Sequence, residues 1–284
     1  MRMVVAFVTV TQKEWLGCHL QHLTVTDVPV GDGQTIAEQR AVTLLQWALT
    51  HLRVNTGHGL LESLTLTINT ETNRRGSWKS IWEAAAKLFR VTMVGLGRSK
   101  LHVKEIDIFS SIDRCSLACG EIAKVLKRVN MSESLKNIKA ISLSLSHQQS
   151  KRQEKVQMLP PAIGRVNTQA ITCLLNMCPK LESLHLHWYN LDIFSLTQAQ
   201  KEEQHFFDRI ADSCPIGRLK YCTLQGIHTS EQKLHYFLRR PRLRSLTMEQ
   251  IRLDSVIDGW RNIGVFTDLH EGLRRETDYD CVET

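Results

Sequence analysis

The chain has 284 residues, 42% of them hydrophobic and 23% charged, a balance that suits a globular body and excludes a wholly disordered one. Its formal net charge of +7 is about one excess cation per forty residues, too dilute to imply nucleic acid unless the cations cluster. No run approaches the roughly 18 apolar residues that a membrane span needs, so a soluble protein with no membrane partner is expected.

The eight cysteines form no CxxC pair and no dense disulfide framework, which points to a reducing, intracellular setting, cytoplasmic or nuclear. The opening segment, MRMVVAFVTVTQ, is broken by Thr9, Thr11, Gln12, Lys13 and Glu14 and has no small-residue cleavage pattern. It reads as a β-strand at the edge of the fold, not as a signal peptide.

Leu20, Leu23 and Val25 then introduce a phrase of the form apolar, x, x, apolar, x, apolar, whose last two apolar positions share one face of an extended strand. Thr35 and Glu38 make a capping-box pattern before a helix with Ala37, Ala41, Leu44, Leu45, Ala48 and Leu52 on one stripe. The phrase returns as LESLTL at residues 61 to 66. From about Ser77 a second helix carries Trp78, Ile81, Ala85, Leu88 and Phe89 at helical spacing. Gly95-Leu96-Gly97 is expected to cap that helix, because a dinucleotide loop would follow a strand and carry a third glycine.

Val103, Ile106 and Ile108 mark the next strand. Ala118, Ile122, Val125, Leu126 and Val129 mark a helix, with Cys115 and Cys119 one helical turn apart as core thiols. Ile138, Ile141 and Leu143 repeat the strand phrase. Residues 147 to 165 are polar with a double proline and read as a surface loop or hinge. A helix from near Asn167 with Ile171, Leu174, Leu175 and Cys178 stops at Pro179, and CPKLESLHL at residues 178 to 186 restores the strand phrase. Phe206, Phe207 and Ile210 belong to a helix ending before Pro215, followed by Leu219, Cys222 and Leu224. Thr229 and Gln232 form a second capping-box pattern, before Leu234, Phe237 and Leu238. RPRLRSLTM at residues 240 to 248 closes the series, and the charged tail from 267 to 284 is expected to fray.

The central apolar residues of the seven phrases are Leu23, Leu64, Ile106, Ile141, Leu184, Cys222 and Leu246. One strand and helix cannot bury an apolar edge alone, whereas stacked units share a continuous core. Residues 1 to 266 are therefore expected to form one α/β domain, an irregular leucine-rich-repeat-like solenoid with parallel strands on the concave face and helices on the convex face. A doubly wound sheet also alternates strand and helix, but its strands do not normally repeat one phrase.

Stacked in this way, the intervening strand residues line the open face of the sheet. Thr65, Asp107, Ser144, His185, His187, Tyr221, Gln225 and Glu249 are candidate contact residues there, and Trp188 is added as an aromatic hot spot beside the histidines. The face has acids and small hydroxyls but no Lys or Arg in its three rows, which disfavours phosphate and nucleic acid and favours a protein partner. His185 and His187 at i and i+2 lack a third and fourth ligand, so no metal is expected. No GxSxG, HExxH, Walker or EF-hand signature occurs, so neither an enzyme nor a cofactor is expected. Arg239, Arg240, Arg242 and Arg244 form a dense basic stretch, with Arg239 and Arg240 at a helix end where the dipole favours cations.

Residues 219 to 260 resemble the C-terminal leucine-rich-repeat-like region of F-box proteins from filamentous fungi. The marks are Cys222-Thr223-Leu224 with Gly226-Ile227, the helix ending Phe237-Leu238-Arg239-Arg240, the phrase Leu243-Arg244-Ser245-Leu246-Thr247, and Trp260. The resemblance implies target selection for a cullin-type ubiquitin ligase. Residues 1 to 30 carry no leucine-proline-rich F-box pattern. The expected function is a non-catalytic protein-binding scaffold, the alternative a nucleic-acid or chromatin-associated protein using a basic outer surface.

Overall fold

A computed structural model of the chain describes residues 2–27, 35–56, 59–69, 78–112, 115–148, 161–189, 196–254 and 261–263. Seven parallel strands form one sheet: β1 (His22–Asp27), β2 (Leu60–Ile68), β3 (His102–Ile108), β5 (Ala140–Ser146), β6 (Ser183–Tyr189), β7 (Tyr221–Gln225) and β9 (Ser245–Glu249), side by side in chain order. A two-residue strand, β4 (Leu117–Ala118), also pairs with β5. Leu23, Leu64, Ile106, Ile141, Leu184, Cys222 and Leu246 lie directly beside one another, as the repeated phrase requires. From Leu64 onward this row is at most 3% exposed, and each leucine so buried contributes on the order of 2 kcal/mol.

Helices fill the steps between strands: α3 (Thr35–Asn55), α4 (Trp78–Ser99), α5 (Gly120–Leu126) with the short α6 (Ser132–Leu135), α7 (Pro161–Asn176), α8 (Gln198–Gln204), α9 (Phe206–Ser213) and α10 (Glu231–Arg239). Each packs on the next, from α3 on α4 through α9 on α10. Burial alternates strictly along β6, so this helical layer covers one face of the sheet and leaves the other open. The fold is thus the leucine-rich-repeat-like α/β arrangement expected.

The structure departs from the sequence reading in several places. The opening segment is not a strand but a helix, α1 (Arg2–Gln12), followed by α2 (Glu14–Gly17). α1 packs on α3 through Phe7, Val8 and Thr11, and Asn55 Nδ2 donates to Thr11 O at 2.7 Å. Gly95 and Gly97 lie inside α4, which runs to Ser99 and ends where Lys100 takes a φ of 58°. Cys115 and Cys119 are both buried, as expected of core thiols, but Leu117 and Ala118 between them are strand, so the two do not share a helix.

His147 is 0% exposed, not on a surface loop, and Pro161 to Arg165 open α7; residues 149–160 of the expected loop lie outside the described residues. Ser230, not Thr229, caps α10, accepting from Lys233 N. A second sheet runs β11-β10-β8, from β8 (His228–Ser230), β10 (Ile251–Asp254) and β11 (Arg261–Ile263). Trp260 and the tail from 267 to 284 lie outside the described residues.

Candidate functional site

The open face is built by strand register. Thr65, Asp107, Ser142, His185, Thr223 and Thr247 form one transverse row on adjacent strands. Ser144, His187, Gln225 and Glu249 form the next row towards the carboxyl ends, and Tyr221 stands between Ser183 and Ser245 in the row before. Thr65, Asp107, His185, His187, Gln225 and Glu249 are all partly exposed, and Tyr221 is 46% exposed. Seven of the nine expected contact residues are therefore together on one accessible surface.

Two are not. Trp188 is 1% exposed on the helical side, stacked on Phe206 with centroids 4.6 Å apart and edge-on to His147 at 5.0 Å. Strand alternation demands this, because Trp188 is one residue out of phase with His185 and His187. Ser144 keeps its place in the row but is 1% exposed, with its hydroxyl donating to Cys115 O at 3.1 Å. The chain leaves β3 at Phe109, with a φ of 61°, and rejoins the ladder as β4, so the segment that holds Cys115 interrupts the face beside β5. Phe109, directly after β3, is itself buried.

The two face histidines are neutral near pH 7. Burial lowers the His185 pKa, against opposing pulls from Asp107 and Glu249. Burial, with some help from His185, pushes His187 down to about 4. His187 also stacks against Tyr189, with centroids 4.1 Å apart. His185 Nε2 is out of solvent, with no hydrogen-bond partner among the described residues. Asp107 accepts from Ser110 N at 2.9 Å, which fixes its carboxylate at the edge of the interrupting segment. The face therefore offers neutral imidazoles, a tyrosine, the fixed Asp107 carboxylate and Glu249, a hydrogen-bonding and aromatic surface with a slight negative bias.

A cluster that sequence reasoning missed lies beneath the carboxyl ends of β5 and β6. The Glu203 carboxylate, 1% exposed, accepts from Gln148 N at 3.0 Å and Asn167 Nδ2 at 2.7 Å, and His147 Nδ1 is 3.4 Å away. Cys119 is in its reach as well. Burial first, then the Glu203 charge, raise that thiol well above its ordinary value, the reverse of what a nucleophilic thiolate needs. Among the described residues, no group of three or more His, Cys, Asp or Glu is placed to hold a metal ion, and no helix is long and apolar enough to cross a membrane.

No protein-family model matches the chain, and no curated protein matches it. Among solved structures it is similar to the tropomodulin C-terminal domain of Caenorhabditis elegans, at 10% identity, over 73% of this chain and 95% of that one, with a TM-score of 0.29. At that TM-score the likeness carries no argument about function.

Proposed function

We propose that the protein is a non-catalytic scaffold that binds a protein partner through the open face of its sheet. The observation that carries this reading is the one-sided coverage: helices bury one face, while Thr65, Asp107, His185, His187, Tyr221, Gln225 and Glu249 stay accessible on the other. Aromatic and imidazole groups held by backbone register lose little side-chain freedom on binding, which favours a specific interface. The resemblance of residues 219 to 260 to fungal F-box proteins adds a finer reading, target recognition related to ubiquitin-ligase adaptors. The described part of that stretch forms β7, β8, α10, β9 and β10.

The test is affinity capture with His187→Ala and Tyr221→Ala, each checked for an unchanged melting temperature. Recovery of the partner captured by the unaltered chain is expected to fall about tenfold, the effect of losing one hot spot. Full recovery by both variants would remove the open face as the contact surface. Trp188→Ala is unsuitable, since it would hollow the core beneath the sheet. Co-purification of a cullin adaptor would support the finer reading, and its absence from otherwise specific complexes would count against it.

A further inference from the structure

A second surface, which meets the open face at Tyr221, lies along the amino-terminal ends of the strands. Lys104, near the start of β3, and the residues just before β5, β6, β7 and β9 are tied into one rung by backbone hydrogen bonds: Lys139 N donates to Lys104 O, Glu182 N to Lys139 O, Lys220 N to Glu182 O and Arg244 N to Lys220 O. Neighbouring strands are about 4.8 Å apart, so Lys104 is set beside Lys139 and Lys220 beside Arg244. Like charges in such positions destabilise a sheet, and packing alone gives no reason to put them there.

Two carboxylates relieve part of the repulsion. Glu62 pairs with Lys104, and Glu182 pairs with Lys220 at 2.9 Å. Lys220 holds the Glu182 carboxyl below its usual range, with Lys139 and Arg218 adding to the effect. The adjoining turns contribute Lys100, Lys136, Lys180, Arg218 and Arg242, against Glu133, which pairs with Lys136 at 2.7 Å. Lys100, Lys139, Lys180, Arg218 and Arg242 are exposed and make no ion pair within 4.0 Å among the described residues. Among the described residues, a chain of modest overall charge thus places nine cations and three carboxylates on one edge, with all three carboxylates already paired.

We propose that this edge docks an acidic, extended segment of a protein partner, running across the strands from β3 to β9. Four strand spacings make about 20 Å, which an extended peptide covers in about six residues. A polypeptide fits better than nucleic acid for two reasons. Glu182 sits within the line of cations and Glu62, on β2, just beyond its β3 end, where a uniform phosphate backbone would meet a carboxylate and a peptide can place a neutral residue. Readers of single strands also interleave cations with several stacking aromatics, and Tyr221 is the one exposed aromatic beside this rung among the described residues.

The test is fluorescence anisotropy of the full chain with a labelled octapeptide alternating glutamate and serine. A glutamine-for-glutamate peptide, a single-stranded oligonucleotide and a duplex serve as competitors, at about 50 and about 200 mM salt. The acidic peptide is expected to bind at least about tenfold tighter than the glutamine peptide, more so at low salt, and to outcompete both nucleic acids. The double variant Lys139→Glu with Arg244→Glu is expected to lose that preference, while His187→Ala keeps it. Equal binding of the two peptides by the unaltered chain, undiminished binding by a folded double variant, or preference for either oligonucleotide would overturn the proposal.

Discussion

A carboxylate that is 1% exposed needs its lone pairs filled, and those of Glu203 meet the Gln148 N–H and the Asn167 amide, with His147 beside them. Three separate elements converge there: α8 supplies Glu203, α7 supplies Asn167 and the end of β5 leads into His147 and Gln148. Glu203→Ala removes the carboxylate that the Gln148 N–H and the Asn167 amide share and is expected to lower unfolding stability by about 3 kcal/mol. Glu203→Gln keeps one acceptor oxygen and should lose about half as much. Urea titration of both variants decides it, since equal losses would mean that the side chain's bulk, not its acceptor, is what matters. None of this was legible in the sequence, because Glu203 sits in the polar run QKEEQ and His147 opens a stretch that reads as surface. Trp188 is the opposite case. Period-two alternation already placed it on the buried side, and only its nearness to the histidines suggested otherwise.

At the scale of elements, the strands were legible and several helix boundaries were not. The phrase centred on Leu23, Leu64, Ile106 and their successors marks both an apolar edge and a strand position, so local pattern and tertiary register agree. The opening segment misleads because Val4, Val5, Val8 and Val10 are β-branched and favour strands by propensity. Its packing against α3 overrides that preference, with Val8 and Thr11 buried on one helical face. Two helical glycines separate propensity from packing in the same way. A Cβ on Gly164 would lie 2.1 Å from Ala199 O, a backbone atom that moves only if α7 and α8 part. Gly164→Ala is therefore expected to destabilise by about 3 kcal/mol despite the better helix former. A Cβ on Gly95 would lie 3.5 Å from Gln46 N, an ordinary contact, so Gly95→Ala should add up to about 1 kcal/mol. Thermal melts of the pair check the argument, and shifts of the same sign would contradict it.

For the whole molecule, the strands of the large sheet pair with their neighbours in the row, and helices pack on near neighbours, α3 on α4, α5 on α7, and α7 on α8 and α9. Stability in such a stack is a sum of unit and interface terms, so it need not be lost in one step. Among the described residues, inner strands have at least two partners, whereas β1 has β2 alone and β9 has β7 alone within the large sheet. The burial of the shared row falls off at the β1 end alone: Leu23 is only partly covered, while the row from Leu64 to Leu246 is at most 3% exposed. Native-state hydrogen exchange should therefore show the slowest amides in β3, β5 and β6, with β1 opening at a lower free energy. Leu184→Ala, which removes a side chain from the middle of the row, should cost about 3 kcal/mol locally and speed exchange in β5 and β7 more than in β1. A uniform loss of protection in all strands would instead describe a single cooperative unit. In that case perturbing one edge would reach the open face, and the two proposed docking surfaces could not be altered independently.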